Sequence, residues 1–157
     1  MNANQRIKVV IGLGNPGTEY AHTYHNIGSW SLQYVKGVAV YQPQGYMNQS
    51  GVDLARWLKM NNLLPEDIIV VHDDSDLLLG TYKISAGGSS AGHNGVQSVI
   101  DNLGTADFRR LRIGIRSADE PVRKKALEFV LQRFPQEQEA VFIDVVKKAW
   151  QEIEPLL

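Results

Sequence analysis

The chain has 157 residues, 43% of them hydrophobic and 21% charged, a net charge of −1 at pH 7 and no cysteine. That length and apolar content suit one globular domain over residues 1–157, while the lack of cysteine excludes disulfides, thiolate catalysis and Cys-based zinc sites. No apolar run is long enough to cross a bilayer, and the Met1–Lys8 terminus is too short and polar for a signal peptide, so a cytoplasmic protein is expected.

In chain order, Ile7–Ile11 is a β-branched run ending at glycines and predicts a buried strand. Ser29–Val35 predicts a short helix and Gly37–Tyr41 a second strand, closed by Gln42-Pro43. Asn48 or Ser50 is a candidate cap for a helix with Val52, Leu54, Ala55, Leu58 and Met60 as its apolar positions. After Pro65, Ile68–Val71 predicts a third strand that delivers His72 and Asp73 at its C-terminal end. Thr81–Ser85 reads as a short strand, and Asn94–Leu103 as a helix with Val96, Val99, Ile100 and Leu103 on one face. Leu111–Ile115 alternates as a half-buried strand, and helices are expected over Pro121–Arg133 and Pro135–Glu154. Strands alternating with helices imply an α/β fold: a mixed, mostly parallel twisted sheet with helices on both faces. Ligands of such sheets collect beyond the C-terminal strand ends.

Four Gly-flanked loops carry the chemistry-bearing residues: Gly12–Gly17 running on to His25-Asn26, Tyr46–Gly51, His72-Asp73-Asp74, and Gly92–Gly95. Neutral amides gathered around an imidazole suit the cleavage of an uncharged carbonyl compound better than the binding of a metal. The Gly12–Gly17 stretch matches G-x-G-x-x-G literally, but Pro16 interrupts it and Ser31–Val38 has no acidic residue for a ribose, so a dinucleotide is not expected. Asp73, Asp74 and Asp76 offer oxygen ligands for Mg²⁺, yet no P-loop lysine accompanies them. Among the four histidines, His25, followed by Asn26 and Gly28, has the neighbourhood best suited to a base. His22 and His72 have no special context, and for His93 a turn conformation or a local hydrogen bond is sufficient explanation. Lys83–Arg133 holds nine basic residues against five acidic ones, which could form a phosphate-binding face or simply a solvated surface.

Taken together, these loops resemble the bacterial-type peptidyl-tRNA hydrolase family. The resemblance covers roughly Ile7 to Val130 in unchanged order. It rests on Gly12–Gly17, Glu19-Tyr20, Thr23–Gly28, Met47–Gly51, His72–Leu77, Gly92–Gly95 and Arg110–Ile115. It implies metal-independent, cofactor-free hydrolysis of the ester that joins a peptide to tRNA, by a monomer. It further implies His25 as general base, Asp73 orienting it and Asn15 recognising the N-acylated group. Tyr20, Tyr46, Asn48 and Asn94 would contact the peptide and the 3′-terminal part of the substrate, and Lys83 and Arg112 would engage tRNA phosphate. Against the family pattern, only 21 residues (Ile27–Met47) separate Asn26 from Asn48, where relatives usually have enough for two further strands. The sequence ends at Leu157, ahead of the last part of the usual terminal helix. Tyr24 replaces a usual arginine, Leu78-Leu79 common prolines, and Ser85 a common lysine. The last change predicts weaker, less salt-sensitive tRNA binding. The shortened scaffold keeps a second reading open, a relative that binds RNA or protein without turnover.

Overall fold

A computed structural model describes residues 4–119 and 129–157. Five strands form one sheet: β1 (Val9–Gly12), β2 (Ala39–Tyr41), β3 (Ile68–Leu78), β4 (Tyr82–Ala86) and β5 (Arg109–Arg116). Their order is β2-β1-β3-β5-β4, with every pairing parallel except β4–β5. Both central strands, β1 and β3, begin as unbroken apolar runs because helices cover the two faces of the sheet. Alternate residues therefore feed two cores. Val10, Ile69, Val71, Leu111, Ile113 and Ile115 point to the face covered by α1 (Ile27–Ser31) and the C-terminal helix α4 (Gln136–Ile153). Val9, Ile11, Ile68 and Val70 point to the face covered by α2 (Ser50–Met60) and α3 (Asn94–Leu103).

Several local expectations shift. The first helix starts earlier, at Ile27, and gives way to a 3-10 turn over Leu32–Tyr34. Its start is pressed against β3: a Cβ on Gly28 would collide with the Val71 carbonyl, and Ser29 N–H donates to Leu13 O at 2.9 Å. Neither Asn48 nor Ser50 caps α2. The chain enters through a 3-10 turn, Met47–Gln49, and the Gly51 N–H is met from outside by Ser98 Oγ of α3 at 2.9 Å. Of the apolar positions expected on α2, Val52 and Met60 are exposed, while Asp53 is buried and held by Tyr41, Gln44 and Arg56. The third strand runs on past Val71 to Leu78, because β5 pairs with it in register from Ile69 to Asp74. α3 and α4 fall where the apolar periodicity puts them, and α3 ends on Gly104 in the left-handed conformation. The helix expected over Pro121–Arg133 lies largely outside the described residues.

β2 is an edge strand, and the short Ile27–Met47 segment supplies only α1, a 3-10 turn and this strand. The chain leaves β1 for β2 on one side and returns through α2 to β3 on the other. The β1/β3 boundary is thus the topological switch point where an α/β sheet opens a crevice.

Candidate active site

The loop after β1 and the body of β3 meet at that crevice. His25 sits in a 3-10 turn, Tyr24–Asn26, fixed on both sides. Asn26 clamps Asn15: its Oδ1 accepts from Asn15 N–H and its Nδ2 donates to Asn15 O, both at 2.9 Å. Tyr24 points the other way, into the core, stacked on Phe129 with centroids 4.4 Å apart and donating its hydroxyl to Gln138 Oε1 at 2.7 Å. The Tyr24 hydroxyl thus ties the turn to α4.

His25 Nδ1 lies 3.1 and 3.0 Å from the two carboxylate oxygens of Asp73, and both side chains are buried. Burial opposes charge on His25, but the Asp73 carboxylate outweighs it, and the imidazole pKa rises above its ordinary value. Burial would raise the Asp73 pKa. The charge that His25 can take on and the hydrogen bonds from His25 and His93 prevail and hold it far below the usual carboxylate range. With Nδ1–H donated to Asp73, His25 keeps its Nε2 lone pair, which has no protein partner among the described residues.

Asn15 is buried beside this turn and its Oδ1 accepts the Met47 N–H at 2.7 Å. Its Nδ2 group is the end left without a protein partner among the described residues. A cavity of about 170 Å³ is lined by His25, His72, Asp73, His93 and Asn94 with the glycine-rich loop before α3. Asn94 is exposed at its rim. Tyr20 and Tyr46 form an edge-to-face pair 6.3 Å apart, Tyr46 being 53% exposed, and Asn48 is exposed one turn on. None of Tyr20, Tyr46 or Asn48 lines the cavity itself.

Lys83 and Arg112 are register partners on β4 and β5. Lys83 is exposed, whereas Arg112 Nε donates to Asp74 Oδ2 at 2.7 Å. Among the described residues, the basic excess in this part of the sequence does not make one continuous face. Arg109 and Arg110 are buried and donate to backbone carbonyls, Arg109 from Nη2 to Gln5 O and Arg110 to Ser89 O and Gly88 O, and Arg123, Lys124 and Lys125 lie outside the described residues.

Two histidines prove more engaged than their sequence context indicates. His93 Nε2 lies 2.8 Å from Asp73 Oδ1, and its Nδ1 accepts from the N–H groups of Gly95 and Val96, capping α3. His72 is buried; its Nδ1 donates to Asp73 O at 2.7 Å, and burial pushes its pKa down to about 3. The sequence signal that could have singled out His93 is its place one residue before an amphipathic helix, the N-cap position. His25, Asp73 and His93 are also the one trio among the described residues with ligand atoms close enough to share a metal. Those atoms are already satisfied by one another, each ring donating an N–H to the carboxylate, and a metal would have to break both hydrogen bonds.

With this geometry in place, likeness to known proteins adds a second line of evidence. The family model described as peptidyl-tRNA hydrolase matches residues 9–38 and 31–157, two pieces that meet in the shortened segment. A peptidyl-tRNA hydrolase of Thermotoga petrophila is 39% identical over 90% of this chain and 87% of its own length. That of Aquifex aeolicus is 40% identical over 91% and 86%. The solved structure of peptidyl-tRNA hydrolase from Acinetobacter baumannii superposes with a TM-score of 0.85 at 27% identity, covering 99% of this chain and 91% of that one.

Proposed function

Since the chain belongs to the peptidyl-tRNA hydrolase family and hydrolyses peptidyl-tRNA, we propose that His25 is the general base of this reaction, oriented by Asp73. The single observation that carries this reading is the donation of His25 Nδ1–H to both oxygens of a buried carboxylate, which leaves Nε2 as the basic atom. Water loses a proton to Nε2 as its oxygen bonds to the ester carbonyl carbon. When the tetrahedral intermediate collapses, the bond to the ribose oxygen breaks and the imidazolium returns the proton to that leaving oxygen. Asp73 fixes the tautomer and stabilises the cation that forms on the ring, as a carboxylate does in hydrolytic triads.

Asn15 serves as a donor. With its Oδ1 engaged by Met47 N–H, the Nδ2 group meets the carbonyl oxygen of the substrate. A preorganised amide donor of this kind is worth roughly 3–4 kcal/mol when the oxygen becomes negative. Tyr20, Tyr46, Asn48 and Asn94 line the approach for peptide and the 3′-terminal nucleotide. Lys83 and Arg112 contribute phosphate contacts, Arg112 sharing its charge with Asp74. Membership of the family is what supports a cytoplasmic monomer; separately, no described helix is long and apolar enough to cross a membrane. Release of peptide from N-acetyl-aminoacyl-tRNA tests the base directly. His25→Ala should lower kcat by roughly 10²–10⁴-fold with substrate affinity kept; near-normal turnover would end the assignment.

A further inference from the structure

Asp73 carries two imidazoles, and the roles of their nitrogens are not interchangeable. His93 Nδ1 accepts from two peptide N–H groups, Gly95 at 3.1 Å and Val96 at 3.2 Å. An imidazole nitrogen that accepts cannot carry a proton, so His93 is neutral and its one N–H is on Nε2. That hydrogen is donated to Asp73 Oδ1 at 2.8 Å. Protonating His93 would set its Nδ1–H against both peptide donors and uncap α3. His93 therefore has no lone pair left to act as a base, whereas His25 has one.

We infer that His93 is a positioning residue for the hydrolysis: held in one tautomer by the first turn of α3, it grips one carboxylate oxygen of Asp73 and so fixes the acid against His25. The inference rests on His25 being the base. It has two physical consequences. The carboxylate is held by donors on two sides, His25 from the turn before α1 and His93 from the loop before α3, so it cannot rotate away from the ring it orients. The second donor also takes up part of the negative charge that would otherwise act on His25 alone, so His25 holds its proton less tightly than it would beside a singly bonded carboxylate. The other titratable or charged neighbours do not substitute for it. His72 gives its Nδ1–H to the Asp73 backbone carbonyl, Asp74 is paired with Arg112, and Arg110 is committed to the Gly88 and Ser89 carbonyls.

The loop that presents His93 is built for this. Gly87, Gly88, Ala91 and Gly92 all have positive φ, and Arg110 braces it from beneath. The same short segment that starts α3 thereby delivers a hydrogen bond into the site.

Two substitutions separate this role from simple capping. Asparagine is a good N-cap but too short to reach Asp73 from the same backbone position, so His93→Asn preserves the helix start and removes the donor. His93→Ala removes both. With N-acetyl-aminoacyl-tRNA as substrate, both variants should lose roughly tenfold in kcat, the worth of one charge-assisted hydrogen bond. Both should also move the acidic limb of the kcat/KM profile to higher pH, because an undivided Asp73 charge favours the protonated base. Only His93→Ala should lose appreciable thermal stability. An acidic limb that stays in place in His93→Asn, or moves to lower pH, overturns the inference and leaves His93 as a cap alone. The base assignment fails separately, through retained turnover in His25→Ala, whatever His93→Asn does.

Discussion

The two regions to which we assign function, the crevice beside β3 and the Lys83–Arg112 pair on β4–β5, are built on opposite physical plans. In the crevice the proposed base His25 and its partner Asp73 are buried, and His25, Asp73 and His93 are joined by hydrogen bonds. In the pair, Lys83 is exposed and Arg112 shares its charge with a neighbouring carboxylate. Chemistry demands one geometry held against thermal motion, and a low-dielectric pocket with full hydrogen bonding supplies that. Phosphate attraction needs only net charge near the right place, in solvent, where salt screens it.

Mutations should expose that difference in size and in kind. Asp73→Asn breaks the crevice hardest after loss of the base itself. It should lower kcat by about 10²-fold or more with little change in affinity. The sign of its pH effect follows from His25. Asp73 is what raises the imidazole pKa against burial, so without it the acidic limb of kcat/KM moves to lower pH, opposite to the shift expected for His93→Asn. Lys83→Ala tests the pair. KM for tRNA substrates should rise with kcat unchanged, and the slope of log affinity against log salt should fall by roughly one. A salt slope equal to that of the parent protein would remove Lys83 from the phosphate contacts. Tyr24→Phe should have the smallest effect. It deletes the bond to Gln138 and should cost about 0.5–1.5 kcal/mol in denaturant titration while kcat stays close to its parent value, because the ring stack still holds the turn.

Much of this was legible in the sequence where a simple period was at work. Val96 and Val99 mark the buried face of α3, and the apolar runs at Val9–Ile11 and Ile68–Val71 mark the central strands. The pairing of His25 with Asp73 was expected from the family motifs that surround them, and the two side chains do meet. What escaped the sequence depended on partners distant in the chain. His72–Asp76 is too polar to read as strand, yet β5 pairs with the chain to Asp74 and again at Leu78, and Arg112 matches the Asp74 charge. The start of α2 lacks a capping side chain of its own because Ser98, on another helix, provides the acceptor. A local hydrogen bond was a sufficient reading of His93, and its Nδ1 makes two; the bond from its opposite nitrogen to Asp73 is a long-range fact.

The shortened segment has a physical counterpart in the edge it leaves. β2 is only three residues long, and Val40 on it is 44% exposed. A strand that short offers few open backbone groups for unwanted pairing.

The sheet also partitions the interior. Alternate residues of β1 and β3 serve separate apolar compartments, one shared with α1 and α4, the other with α2 and α3. Evolution can therefore repack the compartment beneath α2 and α3 without retuning the one that anchors Tyr24. Drift on one side is insulated from the other by a single layer of backbone.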